Sequence, residues 1–329
     1  MFELNLKNAG SVIFFILLSA LSAFGQTLNP PVDLETILKN AEAQTKSYRD
    51  EFKNLLSEET KTFEIFDKGG SVKKHTVVES NFIIYQSSKD ESVSTEYRNV
   101  FKVDGKPVGD SEKRTTELFV KIAKAESIQQ ELERIKKESS RYDKTIEIDG
   151  LTLLQSPILA EYSRPFFDFK LLGREMSGGA DTYIVEYRQA KPSPYILIDE
   201  PTTDRSKLTL GFNLDLPETL NKSNLFLRGK LWIDAQTFQI RREERELTAQ
   251  VESSAKPLVI FKSEFDYQPS DFGILVPKKM AFTYFEVKSK DKGREITAKL
   301  DTKATFEYAK FSKSDVEVES NKVNSPKNQ

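Results

Sequence analysis

The feature that most constrains this chain is a strict alternation of apolar and polar residues over many short segments. In the last of these segments Leu300, Thr302, Ala304, Phe306 and Tyr308 share one parity, and charged or polar residues lie between them. Because successive side chains of a β-strand point to opposite faces of a sheet, the pattern predicts strands with one buried and one solvated face. Such strands belong to antiparallel sheets, which disfavours a doubly wound parallel fold.

Segments with a helical period accompany the strands. Asp33 is a good helix N-cap, and apolar residues recur after it every three, four or seven positions to about Leu56, which predicts an amphipathic helix. We expect a second long helix over Ser111–Ser139, a third from Leu151 to Tyr162, and loops over Lys191–Lys207 and Leu216–Asn224. The fold class is therefore α+β, an antiparallel sheet with two to three amphipathic helices packed on it.

The N-terminus predicts export. Val12–Leu18 is an unbroken apolar run, and Ala23 and Gly25 occupy the −3 and −1 positions for cleavage before Gln26. The run is shorter than the ~20 residues that a membrane-spanning helix needs, which favours a cleaved signal over an uncleaved anchor, the alternative. We divide the chain into a signal peptide 1–25, a spacer 26–32, a single domain 33–311 and a disordered polar tail 312–329.

Composition excludes several classes of function. The 49 basic and 51 acidic residues leave a formal charge of −2, so no long-range field would attract nucleic acid. Cysteine is absent, which excludes disulfides, thiolate metal sites, thiol nucleophiles and a lipid-modified cysteine. The 23 Phe and 11 Tyr are explained first by core filling, and an apolar pocket for acyl chains is the alternative.

Catalytic and metal-binding patterns are missing from the chain. His75, the only histidine, lies in a strand-like run on the polar parity, where it would have to serve a zinc site or a serine triad alone. Neighbouring carboxylates such as Asp199 and Glu200 point to opposite sides of a strand and set no hydrolase separation. The mixed charges of Arg241–Glu246 suit a solvated strand with cross-strand ion pairs. We therefore predict no catalytic residue, no metal, no cofactor and no enzymatic activity.

One hairpin carries a family resemblance. Leu225–Arg241 contains a strand, a turn at Asp234–Thr237 and a returning strand, and its segment Gly229–Ile240 has the pattern G-x-hydrophobic-W-I-D-x-x-T-x-x-I. This segment resembles the hairpin of LolA-like proteins, the periplasmic lipoprotein-sorting factors. The resemblance implies an exported, curved and unclosed antiparallel barrel whose concave face is covered by helices and whose cavity takes lipid acyl chains. The charged helix over Ser111–Ser139 departs from the minimal carrier, and Trp232 can equally be a sheet anchor.

Two main functions follow. The first is a non-catalytic periplasmic protein that shelters a lipid or lipoprotein acyl chain, with secretion or membrane anchoring as alternative locations. The second is an envelope structural or interaction protein with a solid core, which acts through surface loops and an unknown protein partner. For the first function the alternating faces predict these cavity-lining residues: Phe167, Phe169, Leu231, Ile233, Phe261, Phe265, Leu300 and Phe306. The third hypothesis is an enzyme that uses carboxylates.

Overall fold

The computed structural model describes residues 32–87, 89–90, 93–143, 152, 154–200, 207–220, 222–251, 254, 256–290 and 295–313. The predicted signal peptide with its cleavage site at Gly25 and Gln26, the spacer up to residue 31 and the tail from residue 314 lie outside these ranges. No helix among the described residues is long and apolar enough to cross a membrane.

Three α-helices and thirteen strands make up the described chain. The helices are α1 (Leu34–Phe52), α2 (Ser111–Ala123) and α3 (Ile128–Ser139). The strands are β1 (Leu55–Phe66), β2 (Val72–Gln86), β3 (Ser94–Val103), β4 (Lys106–Pro107), β5 (Phe167–Ser177), β6 (Ala180–Gln189), β7 (Ile196–Ile198), β8 (Leu210–Phe212), β9 (Leu225–Asp234), β10 (Ile240–Ala249), β11 (Leu258–Gln268), β12 (Val276–Lys290) and β13 (Glu295–Lys313).

Eleven strands form one sheet in the order β4-β3-β2-β1-β13-β12-β11-β10-β9-β6-β5. Every neighbouring pair in it is antiparallel. The sheet ends at β4 and β5, so the barrel is unclosed, and the predicted α+β class with an antiparallel sheet is confirmed. The remaining strands, β7 and β8, form a separate parallel pair.

The two faces of the sheet differ in what covers them. On β1 the side chains of Leu55, Ser57, Glu59, Lys61 and Phe63 are buried, whereas the residues between them stay partly exposed. We call the face that carries these five side chains the inner face. Helix α1 packs on it through a buried stripe, as the spacing of its apolar residues predicts.

Helices α2 and α3 cover the other, outer face at one end of the sheet. Leu118, Ile122 and Ile135 form a buried cluster with Tyr97 of β3, against which Tyr85 of β2 also packs. Side chains of these helices also engage the backbone of β3: Arg98 donates its amide N–H to Ser139 Oγ at 3.1 Å. Arg114 Nη2 donates to the carbonyl O of Val100 at 3.1 Å. This end of the sheet is therefore covered by helices.

Two predicted helices are corrected. The single helix expected over Ser111–Ser139 is interrupted, because the Ser127 side chain accepts the Gln130 N–H and caps a new helix. Within the described part of the helix expected over Leu151–Tyr162, which is Thr152 and residues 154–162, the chain forms only a short 3₁₀ turn at Pro157–Leu159. A second 3₁₀ turn follows at Arg164–Phe166, and each turn begins at or beside a proline. The expected loop Lys191–Lys207 contains β7, and β13 continues two residues past the predicted domain end at 311.

Candidate functional site

Aromatic rings line the middle of the inner face. Phe63 of β1, Phe306 of β13, Phe282 of β12 and Phe265 of β11 are each at most 2% exposed. Their ring centroids lie 6.5 Å apart for Phe63–Phe306 and 5.6 Å apart for both Phe306–Phe282 and Phe282–Phe265. We call these four residues the aromatic row, and it forms an apolar surface across four neighbouring strands.

Helix α1 packs its own aromatic residues on this side of the sheet. Tyr48 and Phe52 are stacked with ring centroids 5.0 Å apart. Tyr48 meets Tyr267 of β11 edge-on at 6.0 Å, and Phe52 approaches Phe82 of β2 at 6.3 Å. The helix therefore contacts β11, the last strand of the aromatic row, and β2, the strand beyond its other end.

A second element lies over the inner face beside α1. We call Thr152 together with residues 154–166 the crossing segment. Thr152 donates its N–H and its hydroxyl to Glu96 Oε1 of β3 at 2.9 and 2.6 Å. Ser156 donates its hydroxyl to Glu243 Oε2 of β10. Two buried carboxylates from strands far apart in the sheet order thus bind the same short segment.

Helix α1 also binds the crossing segment. Glu42 is only 7% exposed, and it accepts the Glu161 N–H at 3.2 Å and a hydrogen bond from Arg164 at 3.4 Å. Tyr48 donates its hydroxyl to the carbonyl O of Thr152 at 2.6 Å. The helix and the segment are therefore one connected cover over the inner face.

An ion-pair network lies beneath this cover on β1 and β3. Arg98 donates from Nε and Nη2 to the Glu59 carboxylate at 2.7 and 3.0 Å, and from Nη2 to Glu96 at 2.9 Å. All three side chains are at most 2% exposed. Each charge has hydrogen-bonded partners of opposite sign, which is the condition for retaining charges in a protein interior.

Lys61 and Asp143 extend the network. Lys61 Nζ lies 2.6 Å from Asp143 Oδ1. Burial raises the pKa of Asp143 against the opposing effect of Lys61, and burial together with the Arg98 charge lowers the pKa of Lys61. Burial alone would raise the pKa of Glu59, but Arg98 and Lys61 outweigh it and lower that pKa below its ordinary value. The network therefore favours an ionised Glu59 while it disfavours charge on Asp143 and Lys61.

A second buried ion pair lies on β10. Arg245 donates from Nε and Nη2 to the Glu243 carboxylate at 2.6 and 2.8 Å, and both residues are at most 4% exposed. The Tyr187 hydroxyl donates to Glu243 Oε1 at 3.1 Å. The Arg245 guanidinium lies 4.4 Å from the ring centroid of Phe265, which joins this pair to the aromatic row.

Sequence reasoning missed these buried charges. Glu243 and Arg245 belong to the run that we interpreted as a solvated strand with cross-strand pairs, and for these two residues the interpretation is wrong. Their neighbours Arg242 and Glu244 do form a partly exposed ion pair, at 2.6 Å. The available signal was parity, because Glu243 and Arg245 alternate in step with Leu247, which is fully buried.

The predicted cavity-lining residues are distributed along the inner side of the sheet. Six of them are buried: Phe167, Leu231, Ile233, Phe261, Phe265 and Phe306. Phe169 and Leu300 stay partly exposed. Phe265 and Phe306 belong to the aromatic row. Phe167 and Phe169 lie on the edge strand β5 and contact each other there, with ring centroids 6.2 Å apart. Whether a ligand contacts any of them stays a prediction.

A cavity of about 520 Å³ opens among the polar side chains of β5, β6, β9 and β10. Lys170, Glu186, Lys230 and Glu244 follow one another across these four strands and line it. Phe169, one of the predicted cavity-lining residues, and Tyr187 also line it. The charged side chains nevertheless distinguish this cavity from the apolar pocket that the acyl-chain hypothesis requires.

Contacts within the sheet account for Asp234 and Trp232, two residues of the hairpin pattern that carries the resemblance. Asp234 Oδ1 accepts the N–H groups of Gln236 and Thr237, both at 2.9 Å, while its Oδ2 accepts from Arg241 at 2.7 Å. The Trp232 indole donates to Glu175, and the Arg242 guanidinium lies 5.0 Å from its ring centroid. Trp232 therefore anchors the outer side of the sheet.

His75 and the acidic side chains were the remaining candidates for a catalytic or metal site. His75 is exposed on β2, on the polar side that its parity predicts. Among the described residues no group of three or more His, Asp or Glu side chains is placed to hold a metal ion.

Comparisons with known proteins were made by sequence and by structure. No protein-family model matches the chain, and no curated protein matches it significantly. Solved structures do show similarity: a DUF1329 family protein from Desulfovibrio piger shares 12% identity over 86% of this chain and 93% of its own, with a TM-score of 0.30. A LolA superfamily protein from Nitrosomonas europaea shares 10% identity over 87% and 95%, with a TM-score of 0.32. A putative outer membrane lipoprotein-sorting protein domain from Vibrio parahaemolyticus shares 10% identity over 89% and 97%, with a TM-score of 0.33.

The hairpin Gly229–Ile240 predicted a resemblance to LolA-like proteins, and LolA-like proteins are among the solved structures that show this similarity. The fold class itself is established by the strand order of this chain, an unclosed antiparallel sheet accompanied by three helices.

Proposed function

We propose that the protein is an exported, non-catalytic binding protein of the cell envelope that shelters a lipid or lipoprotein acyl chain against the inner face of its sheet. The observation that carries the proposal is the aromatic row, a wide apolar surface on an unclosed sheet that is covered by one helix and irregular segments. Acyl chains are bound in pockets lined mainly by apolar and aromatic side chains. The predicted signal peptide 1–25 supports a periplasmic location.

The end of the inner face beneath β8 is the favoured position for the acyl chain. Phe212 of β8 meets Phe261 of β11 edge-on at 5.3 Å, and Phe261 meets Tyr284 of β12 at 4.8 Å. Burial raises the pKa of Tyr284. Leu300, two residues along β13 from the strand partner of Tyr284, is partly exposed. An acyl chain that displaced the short β7–β8 pair would reach these side chains.

The hydrogen bonds of the buried inner-face carboxylates support a function without catalysis. Glu59 and Glu96 are bound by Arg98, and Glu243 is bound by Arg245, Ser156 and Tyr187. A general acid or base needs access to its substrate, whereas these groups are bonded within the protein.

Mass spectrometry of natively purified mature protein tests the proposal, with a fluorescent fatty acid as the binding probe. We expect a co-purifying lipid, and we expect Leu300→Lys to weaken probe binding about tenfold or more, because a cation would then enter an apolar site. Val120→Lys on α2 is the matched control, since Val120 is 50% exposed and lies on another element. The proposal would be overturned if the wild-type protein contained no co-purifying lipid and did not bind the probe.

One observation favours a second candidate, an envelope interaction protein with a solid core. The network of Glu59, Arg98 and Glu96 and the ion pair Glu243–Arg245 fill inner-face positions that an apolar cavity would otherwise use. Under this alternative, replacement of buried residues such as Phe261 lowers the free energy of unfolding, and no acyl ligand is found at all.

A further inference from the structure

The two edges of the sheet, at β4 and β5, differ in strand length and in what covers them. At one end β4 has only two residues, and backbone groups of β3 are bonded by Ser139 and Arg114 of the covering helices. At the other end β5 has eleven residues and pairs only with β6. Among the described residues no strand pairs with its free side. An uncovered edge strand of this length is a template for pairing with another strand.

The sequence of β5 is complementary to itself in the antiparallel sense. In the segment Phe167-Asp168-Phe169-Lys170-Leu171, a two-fold axis through Phe169 places Asp168 opposite the partner's Lys170. The same axis places Phe167 opposite the partner's Leu171. Opposite charges would then meet on the outer side and apolar side chains on the inner side, which is the arrangement that stabilises cross-strand pairs.

Both charges are available for such a pair. Lys170 is exposed and has no ion pair with any described residue. Asp168 lies 3.9 Å from Arg188, but the side chains are 70% and 73% exposed, so water already screens this contact. The partly exposed Phe169 and Leu171 would lose their remaining exposure in the pairing.

The charges also select one register. A shift by two residues in either direction places Asp168 opposite itself or Lys170 opposite itself, and like charges directly opposite one another are destabilising. The ladder is limited at its other end, because a register irregularity separates Leu171 from Gly173, whose φ is 145°. Phe167–Leu171 is therefore a short, specific pairing unit.

We propose that the protein forms a symmetric dimer in which β5 pairs antiparallel with β5 of a second copy, with the two-fold axis at Phe169. The sheets of the two subunits would join edge to edge, and the inner faces would become continuous through the rings of Phe167 and Phe169. This inference concerns a different part of the sheet from the proposed acyl site and does not depend on it.

Sedimentation velocity of the mature protein at increasing concentration is the first test. We expect a concentration-dependent dimer, and we expect Lys170→Glu or Asp168→Lys to raise its dissociation constant about tenfold or more, since each converts two attractive pairs into two repulsive pairs. The first variant has two acidic positions and the second has two basic ones, so an equimolar mixture of the two should recover the dimer. The matched control Lys299→Glu, at an exposed position of β13, should leave association unchanged.

Disulfide trapping tests the register independently. The chain has no cysteine, so Phe169→Cys introduces a single thiol at the two-fold axis. Directly opposed residues of antiparallel strands have Cα atoms about 4.5–5.5 Å apart, which a disulfide spans. We expect rapid cross-linking of Phe169→Cys and little of Leu171→Cys, whose two copies would lie four residues apart along the ladder. A monomeric wild type together with equal, low cross-linking of both variants would overturn the proposal.

Discussion

Tyr187 of β6 lies directly opposite Gly229 of β9, and its side chain occupies the space that any larger residue at 229 would need. A Cβ atom at Gly229 would lie 2.5 Å from Tyr187 Oη and closer still to the carbonyl O of Glu244. The Tyr187 ring reaches across the glycine to donate its hydroxyl to Glu243 at 3.1 Å. The glycine of the hairpin pattern is therefore needed for the packing of a buried tyrosine.

Gly229→Ala should lower the free energy of unfolding by about 1–3 kcal/mol, because Tyr187 and the β10 backbone would both have to shift. Urea denaturation measures the change. Gly211→Ala is the control, since a Cβ at Gly211 meets nothing within 4 Å. Equal stability of the two variants would contradict the close contact at Gly229.

Glu243→Gln should lower the free energy of unfolding by about 3–5 kcal/mol, because it leaves the buried Arg245 without its charged partner. Glu244→Gln, one residue away on the other face, removes only a partly exposed ion pair with Arg242 and should cost no more than about 1 kcal/mol. Thermal and urea unfolding of this adjacent pair distinguish the two faces of β10. Similar losses for both variants would show that Glu243 is not buried in its ion pair.

The Glu59 network predicts a pH dependence. Because the folded protein lowers the pKa of Glu59 below its ordinary value of 4.5, the carboxylate contributes stability above that pH. This contribution is lost as the pH falls through the lowered folded pKa. The stability difference between wild type and Glu59→Gln should therefore be largest near neutral pH and should shrink below about pH 4.5. Urea midpoints across the acid range test this, with exposed Glu112→Gln as control; a constant difference would contradict it.

Asp234→Ala should destabilise the β9–β10 hairpin, because its carboxylate accepts the Gln236 and Thr237 N–H groups and binds Arg241. Loss of a comparable backbone-capping side chain costs about 1–2 kcal/mol. Hydrogen exchange of the Gln236 and Thr237 amides measures the effect locally, and both should exchange faster. Gln236→Ala keeps the carboxylate and should leave the protection of Thr237 unchanged.

Periodicity predicted the sheet well, because it depends only on which residues alternate. The strands around Phe63, Phe265 and Phe306 and the start of the helix after Asp33 appear where spacing places them. The predicted helix end at about Leu56 is wrong, because α1 ends at Phe52 and β1 already begins at Leu55. Local chemistry decided the failures: Ser127 begins a separate helix, and Pro157 lies in a 3₁₀ turn where a helix was expected.

The inner face could be predicted only in part. Apolar residues at inward parity, such as Phe265 and Phe306, were identified, whereas Glu59, Arg98, Glu243 and Arg245 at the same parity were not. A charged residue at an inward position interrupts the alternation of apolar and polar residues, and it can be assigned to the buried face only when its partner is known. For Arg98 and Glu59 that partner lies 39 positions away in sequence and two strands away in the sheet.

The position of β13 determines when this protein can fold. The last described strand lies between β1 and β12, and its pairs with β1 join Leu55 to Lys313 and Ile65 to Thr302. Contacts so distant in sequence form slowly and cannot form before β13 is available. A chain that leaves the ribosome or a membrane channel N-terminus first therefore holds two separate halves of a sheet until β13 emerges, a state compatible with transport before folding.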